Sequence, residues 1–144
     1  MTANFGFQLA SFTAMAGWLI LVAGVVLNRQ FLRDVIAGQV WPFGLATLYT
    51  LLIGAFFFFA KGGFDSLADV QLLFTTPWVA LAGWVHYLAF DLFIGAMIAR
   101  EVMIRGISRL VLLVLLPLTF LFGPIGYLGF VVLRISLSKR EITA

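Results

Sequence analysis

The unusual chemistry of this chain is concentrated in Trp84-Val85-His86-Tyr87-Leu88-Ala89-Phe90-Asp91-Leu92-Phe93-Ile94-Gly95, a stretch that holds the only histidine and one carboxylate within an otherwise apolar run. On a helix, positions 84, 87, 88, 91 and 95 share a face, so Trp84, Tyr87 and Asp91 line up and Gly95 leaves space beside the carboxylate. His86 falls with Phe90, Phe93 and Met97, about 140° around the axis from Asp91, an angle at which the two side chains flank a cavity more easily than they touch. An acid held in hydrocarbon is expected in its neutral, proton-donating form, which leaves His86 as the candidate base or as a group that orients a ligand. The structural alternative has Asp91 bonded to carbonyls near Pro117, or to Tyr49 or Tyr127, and His86 bonded to a neighbouring helix. Asp91 is the stronger functional candidate, because an ionisable group at mid-bilayer costs roughly 2.5–3.5 kcal/mol on insertion scales and so needs a reason to be there.

Hydrocarbon is the inferred solvent because the 144 residues are 63% hydrophobic and only 10% charged, with a mean hydropathy of +1.13. A soluble domain carries about a quarter of its residues as charges. The net charge of +3 comes from a few cations lying between apolar runs. They read as topology signals and headgroup contacts, and no basic–aromatic groove for nucleic acid is present. A chain with no cysteine and one histidine has no disulfide, thiolate nucleophile, iron–sulfur cluster or cysteine-ligated zinc, and no metal or other cofactor is expected. Neither a phosphate-binding glycine loop nor a serine elbow occurs.

Four apolar runs, about 5–27, 36–60, 77–99 and 110–133, are each long enough to span. They predict an all-α integral membrane four-helix bundle forming one domain over 1–144. The first run has no preceding positive segment and reads as a retained helix, with Ala10, Ala14, Gly17 and Gly24 on one face to admit a close neighbour. Asn28 to Asp34 reads as a polar turn, and Trp41-Pro42 as the entry to the second helix. The longest connection, Lys61 to Thr76, reads first as a connecting cap, with a short interfacial helix bearing Leu67, Val70, Leu73 and Phe74 on one face as the alternative. The fourth helix is expected to break near Pro117 and Gly123-Pro124. Carbonyls freed at membrane depth must be buried in protein or line a cavity. Pro117, Gly123 and Pro124 therefore join Trp84, Tyr87, Phe90 and Gly95 as candidate substrate-lining residues around Asp91 and His86. With four spans the Lys/Arg count is nearly balanced, Arg29, Arg33, Arg100, Arg105 and Arg109 against Lys61, Arg134, Lys139 and Arg140, and sets no orientation.

The segments Gly83-Trp84-Val85-His86-Tyr87-Leu88-Ala89-Phe90-Asp91-Leu92-Phe93 and Leu116-Pro117-Leu118-Thr119-Phe120-Leu121-Phe122-Gly123-Pro124-Ile125-Gly126 resemble the small four-helix membrane proteins related to plant neoxanthin synthase, the abscisic-acid-deficient-four-like family. In the plant branch the resemblance implies a carotenoid isomerase that opens an epoxide to an allenic end group. That reaction needs an acid at the epoxide oxygen and a base at an adjacent carbon, for which Asp91 and His86 are the natural candidates here. Without a plastid transit extension the chain looks like a bacterial member, expected in the inner or intracytoplasmic membrane. The expected function is binding or isomerising a long polyene, whose length matches the ~30 Å hydrocarbon core. One alternative is a non-catalytic accessory subunit, packed with copies of itself or in a larger, pigment–protein membrane complex. Another is a proton-coupled carrier built on Asp91.

Overall fold

An uncharged segment of 24 residues forms the first helix, α1 (Ala3–Val26), started by Thr2, whose hydroxyl oxygen accepts from the Phe5 amide at 3.3 Å. The computed structural model describes residues 2–142, with side chains as far as Leu137. Next come α2 (Phe31–Phe59), the short α3 (Leu67–Phe74), α4 (Pro77–Ile104), α5 (Leu112–Phe122) and α6 (Pro124–Ile142). Three of them, α1, α2 and α4, are long and apolar enough to cross a membrane. Large apolar side chains such as Phe12, Phe43, Leu51, Phe90 and Leu113 lie exposed along the helices, as a protein solvated by lipid requires.

The described residues form six helices where four were expected. The connection after α2 contains the short helix α3, capped by Ser66, whose hydroxyl accepts from the Asp69 amide at 3.1 Å and donates to its carboxylate. The fourth apolar run is two helices, and the break falls at Gly123 and not at Pro117. Pro117 lies inside α5, where a proline deletes one amide without stopping the helix. Gly123 adopts φ +35°, ψ −84°, outside the helical region, and Pro124 then opens α6.

The second helix is also longer than expected. The supposed polar turn belongs to it: α2 starts at Phe31 with π-type turns as far as Val40, and Trp41-Pro42 sits at the junction with ordinary α-helix. In the wider π register Trp41 N–H bonds to Ile36 O, five residues back, so the missing amide of Pro42 falls where the ladder is already being re-registered. The Trp41 indole is not an interfacial anchor, since it donates to Thr13 O of α1 at 2.6 Å.

Packing centres on α4. The small-residue stripe of α1 is buried against α2 and α4: a Cβ on Gly17 would lie 2.5 Å from Trp41 and 2.6 Å from Leu92, and one on Gly24 would lie 2.7 Å from the Arg33 amide. This stripe holds the chain's own helices together and is therefore not free to dock another subunit. On the other side, α6 turns back along α5. Gly126 is pressed against Thr119, a Cβ on Gly129 would lie 3.2 Å from Leu115, and Phe130 shares a core with Leu112, Leu116, Ile98 and Val102. A straight continuation would put positions 115 and 129 about 21 Å apart, so α5 and α6 form a helical hairpin with Gly123 at its tip.

Candidate functional site

Asp91 lies 14 residues after the first residue of α4 and 13 before the last, which is mid-depth for a helix of this length. It is 7% exposed, and its Oδ2 is buried without a hydrogen-bond partner. Among the described residues the ion pairs are Arg33–Asp34 and Arg105–Glu101, so Asp91 has no cationic partner there. The hairpin tip closes over it: a Cβ on Gly123 would collide with Asp91 Oδ1. The acid thus sits at the break between α5 and α6, where the last carbonyls of one helix and the first amides of the next lack intrahelical partners. One such carbonyl is accounted for, since the Tyr87 hydroxyl, one turn before Asp91, donates to Phe120 O at 3.1 Å. The start of α6 also puts the positive end of a helix dipole at the break.

The structure divides the residues singled out from the sequence between two faces of α4. Trp84, Tyr87, Asp91 and Gly95 face α1 and the hairpin. Trp84 donates from its indole to Ser11 Oγ at 2.9 Å and stacks between Phe7 and Tyr87, with ring centroids 5.3 Å away on each side. Gly95 does not leave free space beside the carboxylate, because the Trp18 ring fills it and a Cβ there would lie 2.5 Å from the indole. Gly123 is buried at the tip and Pro124 is exposed beside it. Pro117 joins Met15, Trp18, Leu19, Val22, Leu116 and Phe120 in lining a wholly apolar groove of about 240 Å³ between α1 and α5. Phe120 links the groove to the acid, for its ring lines the groove while its carbonyl holds Tyr87.

His86 and Phe90 are on the other face. The imidazole is exposed, stacks on Phe90 at 4.6 Å and lies 5.3 Å from the ring of Tyr49 in α2. Phe90 lines a larger groove of about 320 Å³ between α2 and α4 with Gly38, Pro42, Phe43, Ala46 and Phe93. Size and chemistry therefore disagree: the larger groove is not the one beside the buried acid. Asp91 and His86 are not brought together. Among the described residues no group of three His, Cys, Asp or Glu side chains gathers to hold a metal.

Two participants were not visible in the sequence reading. Trp18 is buried against Gly95 and Phe120 with its Nε1 unpartnered, so a donor and an acceptor are both left open within this core. The only signal for it was the repeated Gly-Trp pair at 17–18 and 83–84. Arg33, read as part of a polar turn, is 1% exposed and forms a bidentate pair with Asp34 at 2.6 and 2.8 Å.

Fold and site together define an all-helical membrane protein, with three helices long and apolar enough to span, that holds a buried acid at the break of a helix hairpin. A family model described as ABA DEFICIENT 4-like matches residues 5–130, and the chain belongs to that family. No curated protein and no solved structure matches it.

Proposed function

We propose that the protein binds a long, carotenoid-like polyene and isomerises its end group at Asp91. The single observation that carries this reading is a buried mid-membrane carboxyl with an unpartnered oxygen, set against a broken helix. An ionisable group so placed is costly, and such positions mark functional sites by default. Membership of the family supports the substrate class, through the resemblance to carotenoid isomerases. The α1–α5 groove supports the binding mode: it is wholly apolar and ends at Phe120, from which Tyr87 leads to the acid.

In this reading the polyene lies along the groove with its epoxide end at Tyr87 and Asp91. Neutral Asp91 protonates the epoxide oxygen as the bond from that oxygen to the polyene-bearing carbon breaks, leaving a hydroxyl on the neighbouring ring carbon. The adjacent chain CH gives its proton to the carboxylate, and the electron pair of that C–H bond forms a new double bond to the ring carbon, cumulated with the existing chain double bond as an allene. One proton enters and one leaves, so the product is an isomer and Asp91 ends neutral, as it began. The base role first considered for His86 passes to the second oxygen of the same carboxyl, because His86 faces away from it. Tyr87 and Trp84 are positioning residues that hold the end group against the acid.

The test is product analysis after incubating purified protein in lipid nanodiscs with an epoxy-carotenoid. Turnover that is lost in Asp91→Asn and kept in His86→Phe supports the assignment, and turnover unchanged in Asp91→Asn removes it. The accessory-subunit reading has no comparable observation in its favour, since its small-residue stripe is occupied inside the chain.

A further inference from the structure

The hairpin changes the charge count on which orientation depends. Arg109 reaches the last carbonyls of α1, with Nη1 3.5 Å from Val25 O and 3.4 Å from Val26 O. Asp34 at the start of α2 shares a small cleft with Arg100 and Glu101 near the end of α4. The end of α1, the start of α2, the end of α4 and the start of α5 therefore lie at one end of the molecule, and with them Arg29, Arg33, Arg100, Arg105 and Arg109. A straight fourth span would send the remaining cations to the far side.

The structure turns α6 back instead. Phe130 is buried in one core with Val102 and Leu112, which lie towards the basic end, and Val131 and Leu133 pack against that core, as do Ile107 and Val111. Arg134 follows ten residues after Pro124, a rise of about 15 Å, which is half the ~30 Å hydrocarbon core counted from the mid-depth tip. Lys139 and Arg140 continue along the same helix. Eight of the nine Lys/Arg thus belong to one end, and the other end keeps Lys61 with Asp65 and Asp69. A near-balance becomes an eight-to-one bias in short connections, the situation in which the positive-inside rule is decisive.

We infer that the protein crosses the membrane three times, with its fourth apolar run as a re-entrant hairpin, and that the arginine-rich end lies on the cytoplasmic side against anionic lipid headgroups. Arg29, Arg100, Arg105, Arg109 and Arg134 are exposed at this end, whereas Arg33 is buried with Asp34 and is not part of the collar. Headgroup phosphate is the occupant these cations fit, because they follow or precede apolar helix ends and so stand at the level of the lipid phosphates. The start of α1 and the α2–α4 connection then lie on the opposite side, and Gly123 and Asp91 are reached from within the bilayer.

The chain has no cysteine, so single substitutions report alone. Ser66→Cys, Ser108→Cys and Ser138→Cys are to be labelled with a membrane-impermeant maleimide in sealed right-side-out and inverted bacterial membrane vesicles. The expected result is that positions 108 and 138 label only in inverted vesicles and position 66 only in right-side-out ones. Labelling of 138 together with 66 would restore a fourth span and overturn the inference. For the collar, thermal midpoints are compared in phosphatidylglycerol and phosphatidylcholine nanodiscs. A higher midpoint in the anionic lipid, lost when Arg29, Arg105 and Arg134 are changed to Gln, supports the contact, and equal midpoints for the unaltered protein overturn it.

Discussion

Gly123→Ala tests the closest contact in the site. Two separate costs follow from the geometry. At φ +35°, ψ −84° a Cβ strains the backbone, by about 1–3 kcal/mol for a sparsely populated conformation. The same Cβ would collide with Asp91 Oδ1, and forcing a packed neighbour aside costs typically about 1–3 kcal/mol more. Together these predict a loss of about 2–6 kcal/mol, a fall of roughly 5–20 °C in thermal midpoint for a chain of this size. The assay is thermal unfolding in one detergent or nanodisc composition, run as a double-mutant cycle with Asp91→Ala. Removing the carboxyl removes the collision and leaves the backbone strain, so Gly123→Ala should cost about 1–3 kcal/mol less in that background. Equal costs in the two backgrounds would mean that the hairpin tip does not rest on the acid, and the site as described would be wrong.

Asp91→Asn should raise the thermal midpoint while abolishing turnover, because an acid buried in neutral form carries the cost of being held protonated and an amide does not; a lower midpoint would mean that Asp91 serves packing. His86→Phe should keep both fold and turnover, as an exposed ring stacked on Phe90 can be replaced by another ring, and product analysis showing a loss like that of Asp91→Asn would put the imidazole at the substrate. Asp34→Asn should lower the midpoint by the equivalent of about 2–4 kcal/mol by leaving the Arg33 charge buried and uncompensated, and Arg33→Met with Asp34→Leu should recover much of that. Gly126→Val should separate α5 from α6, since Gly126 is already against Thr119, and the loosened hairpin would show as a thermal midpoint lowered by the equivalent of about 1–3 kcal/mol.

Much of the architecture and part of the site were legible in the residues. An apolar fraction of 63% left lipid as the only solvent, and runs longer than about 20 residues had to be helices because hydrocarbon offers the backbone no other partner. The 3.6-residue repeat set Trp84, Tyr87 and Asp91 on one face of α4 and His86 with Phe90 on another, and the structure keeps that division. The spacing of Ala10, Ala14, Gly17 and Gly24 announced a close helix crossing, which α2 and α4 provide. What the sequence by itself could not decide was direction and partnership. A Gly-Pro pair marks a break, but whether the next helix carries on or turns back depends on what α6 finds to pack on, and Leu115 and Thr119 offer that surface on α5. Likewise a glycine one turn from an acid signals space, and only the packed helices reveal that the Trp18 ring fills it. Periodicity along one helix fixes which side chains share a face, whereas the neighbour that covers the face is a property of contacts between residues far apart in the chain.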